Sequence, residues 1–214
     1  MTAQPRAHLR ADARRNRAQI ITTATRAFVD NGPDVPLEEI ARLAGVGIGT
    51  LYRNFPDREA LILAVVQTSM GVMLTKAREA RAEHEHAWDA LARTLSTSRE
   101  LSLTLRVQRL FSPATVAALS ADPTIRQIRN ELIKVIDDLV QAAQREGSMR
   151  PDVDTGDVTH LFSLLMLPST HRTPSEIAEM SYDRAREIIF DGLRARPGTP
   201  LPGRPLSATD IYPD

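Results

Sequence analysis

Cysteine is absent from this chain of 214 residues, and aromatic residues make up only 4% of it. Without cysteine the protein has no disulfide framework, no thiol nucleophile and no thiolate zinc site, so a metal would have to be held by histidine and carboxylate. Glycine is also scarce, at 10 residues, whereas Ala, Leu, Arg and Glu are abundant. This composition favours an all-α protein over a β-sheet protein.

Net charge is lacking as well, because 27 Lys and Arg balance 27 Asp and Glu. Taken alone, this balance argues against binding to nucleic acid. The charges are unevenly distributed, however: residues 1–30 carry six arginines against two aspartates, a local excess of four positive charges. Such a basic segment attracts phosphate locally, since exposed charges are screened beyond about 8 Å at physiological salt. For Arg6 and Arg10 alone, a basic disordered tail is the plainer alternative.

Long apolar runs are missing from the sequence. None approaches the roughly 18 residues that a membrane span requires, and no apolar region follows the Arg-rich start to form a signal peptide. We therefore expect a cytoplasmic protein that makes no membrane contact.

The stretch 37–55 has the pattern of two short helices joined by a tight turn. Its first half repeats apolar residues at helical spacing, and Gly45 can end that helix in a left-handed conformation. A second helix, capped by Gly47 or Ile48, would bury Leu51 and Phe55 on one side. Its other side carries hydrogen-bond donors and no carboxylate, namely Thr50, Tyr52, Arg53 and Asn54. The pattern predicts a helix-turn-helix whose second helix enters the major groove of DNA.

Residues 20–61 closely resemble the DNA-binding domain of the TetR family of transcriptional regulators. The resemblance rests on Ala27-Phe28, on Ile-Ala-Arg-Leu-Ala-Gly-Val at 40–46 and on Gly-Thr-Leu-Tyr-Arg-Asn-Phe at 49–55. It implies an all-α fold, in which an N-terminal three-helix DNA-binding domain precedes a C-terminal helical domain for ligand binding and dimerisation.

The same resemblance assigns residues to DNA contacts. Thr50, Tyr52 and Arg58 lie at positions that bind phosphates, whereas Gly47 replaces a common serine and puts one hydroxyl contact in doubt. Base edges are expected opposite Ile48, Gly49, Arg53 and Asn54, and the basic first helix adds Arg14, Arg15 and Arg17. The alternatives are a half-buried packing residue for Tyr52 and a solvated charge for Arg53.

Breaker residues and the resemblance together divide the chain into four parts. We expect a flexible basic arm at residues 1–13, the DNA-binding domain at 14–58, a regulatory and dimerisation domain at 59–196 and a disordered Pro-rich tail at 197–214. Helices are expected at 14–31, from Pro36 to the turn at Gly45, and from the cap at Gly47 or Ile48 to Phe55. A long helix is expected at 58–82, with Asp57 as its cap. Further helices are predicted at 87–98, 100–111, 122–145, 155–167 and 175–195, with a short turn at 114–120.

The C-terminal part supplies candidates for two further surfaces. Mostly apolar walls with a few polar groups suit a small hydrophobic effector, and the candidate pocket residues are Leu103, Val107, Leu110, Phe111, Ile128, Leu132 and His160. Ordinary core packing is the alternative for all of them. The last two helices are apolar enough to form a four-helix dimer interface, with Val158, Leu161, Phe162, Leu165, Ile188 and Ile189 as candidates.

The function that these patterns and the resemblance predict is a homodimeric TetR-type regulator. We expect a repressor that binds palindromic operator DNA and is released by a small-molecule effector, with no cofactor. One alternative is a helical hydrolase or metalloprotein using His84 and His86, although residues two apart on a helix point away from each other. The other is a dimeric helical module that binds a ligand or partner without recognising DNA sequence.

Overall fold

The computed structural model describes residues 4–96, 111–165, 175–196 and 198–211. Within these ranges the chain forms ten helices and one isolated bridge between Met149 and Arg194. The helices are α1 (Gln4–Asn31), α2 (Leu37–Leu43), α3 (Ile48–Asn54), α4 (Arg58–Glu83), α5 (Ala87–Thr94), α6 (Pro113–Ala121), α7 (Pro123–Arg145), α8 (Thr155–Leu165), α9 (Ser175–Leu193) and α10 (Ala208–Ile211). The predicted all-α class is confirmed. The helix predicted at 100–111 lies almost entirely outside the described residues.

The described residues divide into two compact units. One comprises the residues up to Gly71 together with 111–126, and the other comprises 72–96 and the described residues from Gln127 onward. The division falls within α4, which continues without a break past residue 58, where the sequence predicted a domain boundary.

The first unit is built on the packing of α1 against α2 and α3. Its largest fully buried side chains include Phe28, Phe55, Leu51 and Ile40. Phe28 also meets Phe111 edge to face, with ring centroids 5.8 Å apart. This contact joins Phe111, which precedes α6, to the N-terminal helices.

Asp122 fixes the start of α7 and joins it to α4 within the first unit. Its Oδ1 accepts hydrogen bonds from the backbone N–H of Ile125 at 2.9 Å and from Nε2 of Gln67 at 3.1 Å. The bond from Ile125, aided by Gln67, lowers the pKa of the Asp122 carboxyl. Asp122 therefore acts as the N-cap residue of α7, at the position where the sequence predicted the start of a helix.

The second unit contains an aromatic cluster and two ion pairs between α4 and α7. Phe190 contacts both Trp88 and Phe162, with centroid distances of 5.9 and 5.2 Å. Between the helices, Arg78 pairs with Glu131 and Arg81 pairs with Asp138, each at 2.7 Å. All four charged side chains are largely exposed, so each pair stabilises the unit by only about 0–1 kcal/mol. The aromatic and aliphatic core therefore supplies most of the cohesion.

The first helix begins earlier than predicted. The sequence placed its start at residue 14, after a flexible arm at 1–13, but α1 begins at Gln4. The prediction of a flexible arm rests on its lack of apolar residues. That lack indicates only that the segment has few side chains to bury, and it does not exclude a helix. Its Ala, Arg, Gln and Leu residues are nevertheless strong helix formers, which accounts for a helix that begins before residue 14.

The described part of the proline-rich tail, residues 198–211, makes hydrogen bonds with Asp152 and with α8, whereas the sequence predicted disorder at 197–214. Asp157 Oδ2 accepts the N–H of Leu206 at 3.0 Å, and the N–H of Asp157 donates to Leu206 O at 3.2 Å. Asp152 accepts the N–H of Leu201 at 2.9 Å. Proline does prevent a helix through most of this segment. The backbone groups instead find partners in two aspartates that are remote in sequence, and a short helix, α10, then packs on α8.

Helix α4 is apolar enough to resemble a membrane span. An 18-residue window within it has a mean hydropathy of 1.5, although the sequence analysis expected no segment of that kind. In the structure 56% of this window is buried inside the protein. Core packing therefore accounts for the apolar character of α4.

Gly156 provides a test of the contact between the tail and α8. A Cβ at this position would overlap with the backbone carbonyl oxygens of Leu206 and Ser207. Gly156→Ala should therefore lower the free energy of unfolding of the complete chain by about 1–3 kcal/mol, as overpacking does. In a chain ending at Arg196, the same substitution should be neutral or stabilising by up to about 1 kcal/mol, because alanine is the better helix former. Urea unfolding of the four proteins measures both effects, and equal effects in the two backgrounds would contradict the packing of the tail.

Candidate DNA-binding surface

Gly45 forms the corner between α2 and α3. Its φ of +67° lies in the left-handed region, where an L side chain is strained. The N–H of Gly45 donates to Arg42 O at 3.1 Å, and the N–H of Val46 donates to Ala41 O at 3.0 Å. These two bonds end α2 with a tight turn, as the sequence predicted. The corner thus fixes the direction in which α3 leaves α2.

Helix α3 begins after Gly47, whose extended backbone forms the N-cap. The carbonyl of Gly47 accepts the N–H of Thr50 at 2.8 Å, but no side chain caps the helix. Glycine at position 47 thus allows the helix to form but lacks the hydroxyl group of the serine that is common there. Helix α2 likewise starts without a side-chain cap, after Pro36.

The two sides of α3 differ sharply in exposure. Leu51 and Phe55 are 0% and 1% exposed, whereas Ile48 and Tyr52 are 39% and 45% exposed. Tyr52 therefore packs over part of its surface and leaves the rest accessible to an external partner. Because α3 contains no carboxylate and presents a hydroxyl and a guanidinium outward, its free side suits a surface lined with phosphates.

Arg53 is held in place by its own helix. Its Nη2 donates to Thr50 Oγ1 at 2.9 Å, and Asn54 Nδ2 donates to Thr50 O at 2.8 Å. The exposed guanidinium of Arg53 thus has a defined orientation and is more than a freely solvated charge. Asn54 is half-buried and already uses one amide hydrogen within α3, so it is less available to bases than the sequence implied.

The arginines of α1 lie close to α3 to different degrees. The guanidinium of Arg17 lies over the ring of Phe55, 5.0 Å from its centroid, which places a cation beside the end of α3. Arg14 and Arg15 are exposed, and Arg15 makes only a 3.6 Å ion pair with Asp12. Of the three predicted residues, Arg17 is the one that the structure brings to α3 by a direct contact.

Arg58 does not have the orientation that the resemblance implied. Its Nη1 donates to Pro33 O and its Nη2 donates to Val35 O, each at 2.6 Å. The side chain is half-buried and ties the start of α4 to the loop between α1 and α2. The expectation of a phosphate contact is therefore corrected to a structural role, in which the guanidinium satisfies two backbone carbonyls.

Leu43 is an exposed residue that the sequence analysis missed. It ends α2 and is 47% exposed, close in sequence to the corner and to exposed Ile48. Its spacing from Ile40 resembles that of a core residue, so periodicity gave no signal of its exposure. An exposed leucine beside a polar helix can contact the methyl group of thymine.

The predicted effector pocket is not assembled as a whole by the described residues. Leu103, Val107 and Leu110 lie outside them. Phe111 is buried against Phe28 in the first unit, and His160 is exposed, so neither has the surroundings expected of a pocket residue in the regulatory part. Ile128 and Leu132 do lie on α7, half-buried and buried respectively.

The predicted dimer residues fall into two groups. Val158 and Phe162 are 0% exposed within one chain, so they are core residues and the prediction that they contact a partner is wrong. Helical periodicity identified them as buried but could not show that their own chain buries them. The other candidates are accessible to different extents: Leu161 and Ile188 are exposed, and Leu165 and Ile189 are half-buried.

The two histidines of the metalloprotein alternative have local roles. His84 Nδ1 lies 2.9 Å from Ala80 O, and His86 precedes α5 as its N-cap residue. In the described part of the chain, no group of three or more potential ligands surrounds them.

Profiles of two known families match this sequence. Bacterial regulatory proteins of the tetR family match residues 20–65, and the C-terminal domain of SbtR-like transcriptional regulators matches residues 89–195. The HTH-type transcriptional regulator UidR of Escherichia coli is 27% identical over 199 residues, which cover 89% of this chain and 95% of that protein.

Solved structures show the same relationship. A TetR transcriptional regulator from Streptomyces coelicolor is 30% identical, with a TM-score of 0.64 over 84% of this chain and 98% of that one. A TetR regulatory protein from Mycobacterium vanbaalenii is 31% identical, with a TM-score of 0.59 over 87% and 99% of the two chains.

The structural role of Arg58 can be tested by its removal. Arg58→Ala should lower the free energy of unfolding by about 1–3 kcal/mol, because two carbonyls lose a charged donor. It should also speed amide hydrogen exchange between α1 and α2. Arg14→Ala, which removes an exposed arginine of α1, should leave both properties unchanged. Unaltered stability and exchange in Arg58→Ala, combined with weaker DNA binding, would instead support the phosphate contact.

Proposed function

Because this chain belongs to the TetR family of transcriptional regulators, we propose that it is a repressor that a small-molecule effector releases from a palindromic operator. The family consists of regulators, so the alternative of a helical hydrolase is wrong. A regulator of this kind acts in the cytoplasm, where bacterial DNA is accessible.

The free side of α3 is the observation that carries the proposal of sequence-specific binding. Burial of Leu51 and Phe55 leaves Tyr52 and Arg53 exposed on a short helix without carboxylates. An exposed tyrosine hydroxyl is a donor for phosphate, and a guanidinium with a fixed orientation suits the O6 and N7 atoms of guanine. The same surface favours DNA over the alternative of a helical module that binds only a ligand or a partner.

Exposed apolar side chains on the last two long helices support a homodimer. Helix α9 exposes Ile177, Met180 and Ile188, which lie along one side of the helix, and α8 exposes Leu161 and Leu164. Contact between Phe162 and Phe190 packs the two helices together. Large apolar side chains grouped in this way mark an interaction surface, and two copies related by a two-fold axis would bury it in a four-helix arrangement.

A dimer matches the geometry of a palindrome. Two copies of α3 would enter successive major grooves about 34–36 Å apart. The effector is expected to bind more tightly to a conformer in which the two copies of α3 have a different spacing. Its affinity ratio for the two conformers then sets how far the affinity for the operator falls. Helix α4 is suited to transmit this change because its residues are shared between the two units.

Selection of bound sequences from a random DNA pool tests the DNA-binding proposal. The expected result is a palindromic consensus whose affinity falls steeply with salt. Arg53→Ala should relax the preference at one base position of each half-site and cost about 1–3 kcal/mol there. Tyr52→Phe, which removes one phosphate donor, should weaken binding to all sequences alike. A uniform loss in Arg53→Ala would refute base recognition by Arg53, and no consensus from the unmodified protein would favour the module without DNA recognition.

The proposed dimer predicts that a charge on α9 causes dissociation. Ile188 is 67% exposed in the single chain, so Ile188→Glu should not affect folding but should bury an unpaired carboxylate in the dimer. We expect the dissociation constant measured by analytical ultracentrifugation to rise at least about tenfold. Leu201→Glu is the matched control, since Leu201 is 45% exposed but lies in the tail. A monomeric unmodified protein at micromolar concentration would rule out the interface.

A further inference from the structure

Arg129 occupies a position on α7 where the helix otherwise buries apolar residues. Leu132, Ile136 and Val140 follow it by three, seven and eleven residues and are 6%, 4% and 0% exposed. At this spacing the four side chains lie along one side of the helix. Arg129 itself is only half-buried, so part of its guanidinium remains accessible while its Nε is buried.

The buried Nε of Arg129 has no hydrogen-bond partner, and no ion pair is found for this side chain within the described ranges. The carboxylates of the same helix are already engaged. Glu131 accepts from Arg78 at 2.7 Å and from Gln127 at 2.9 Å, and Asp138 accepts from Arg81 at 2.7 Å.

Asp137 completes the set of acidic residues on α7. It accepts from the hydroxyl of Thr155 at 2.7 Å and from Gln141 at 2.9 Å. The exposed arginines that face α7 from α4 are therefore paired, whereas the half-buried arginine of α7 is not. Because an N–H group that is shielded from water and lacks an acceptor is unfavourable, and the rest of the Arg129 guanidinium remains accessible, this arrangement is explained if an anion binds to the guanidinium.

We propose that Arg129 binds the anionic group of the effector, which is an amphipathic molecule with an apolar body ending in a carboxylate or a phosphate. This inference rests on the proposed function, since it specifies the chemical class of the effector. The planar guanidinium of arginine can bind two oxygens of either group at once. Ile128, which precedes Arg129 on α7 and is half-buried, offers apolar surface to the remainder of the ligand.

The test uses matched probes of equal chain length on the full chain. Octanoate and octyl phosphate represent the two anionic classes, and octanol is the neutral control. One of the anions should raise the melting temperature by about 4 °C or more near saturation, whereas octanol should not. The anion that acts identifies the carboxylate or the phosphate as the group recognised. The same probes with butyl and dodecyl chains extend the comparison to shorter and longer bodies.

Two substitutions on α7 separate binding from folding. Arg129→Met should abolish the shift caused by the anion and should leave the melting temperature of the free protein unchanged or higher, because a well-packed apolar side chain replaces an unpaired charge. Lys134→Met removes an exposed cation from the same helix and should preserve the shift. A lower melting temperature for free Arg129→Met would show a structural partner for Arg129 and overturn the inference.

Operator binding separates this inference from the proposed function. If the protein binds its selected palindrome but no anion of any chain length shifts its melting temperature, the assignment of Arg129 is wrong and DNA recognition stands. If an anion binds through Arg129 but leaves the affinity for the palindrome unchanged, the anion site stands and the proposal of effector release is wrong.

Discussion

Burial of Leu51 and Phe55 is the constraint on which the DNA-binding surface depends. Both side chains are fully enclosed, and α3 packs on α1 and α2. A helix of seven residues has too little internal stability to persist alone, so this burial both forms α3 and selects the side that faces away. The corner at Gly45 then sets the direction of the helix. The cation of Arg17 over the Phe55 ring adds positive charge at the place where the helix ends.

Arginine serves different purposes in this protein, and the surroundings of each side chain decide which. Arg53 is exposed and oriented by a neutral hydroxyl, so its charge is available to an external partner. Arg58 donates to two backbone carbonyls of the loop before α2, and it connects that loop to the start of α4. Arg78 is neutralised by a carboxylate across a helix pair. Arg129 has neither arrangement among the described residues, and its buried Nε has no acceptor, which is the basis for proposing an external anion as its partner.

The parts of the fold that could be predicted from the sequence are those determined by short-range patterns. Helical periodicity and a glycine that favours a left-handed turn identify α2, the corner and α3 within 19 residues. Arg58 was misassigned because its partners lie 23 and 25 residues away and are backbone atoms, which no residue pattern reveals. Phe162 was misassigned because periodicity distinguishes a buried side from an exposed one but does not identify the neighbour. In that case the neighbour is Phe190 of the same chain.

The position of the tail also depends on contacts between residues that are distant in sequence, and it bears on the proposed dimer. The match to the C-terminal domain of SbtR-like regulators ends at residue 195. The residues that follow nevertheless contact the start of α8: Leu206 bonds to Asp157, and the backbone of Leu206 and Ser207 lies close to Gly156. The first turns of α8 are thereby enclosed, and large apolar side chains become exposed only from Leu161 onward. Since a dimer interface requires α8 to keep one orientation beside α9, a tail that anchors the beginning of α8 restricts how the exposed part can move. The tail thus helps to define the shape of the proposed interface through the start of α8.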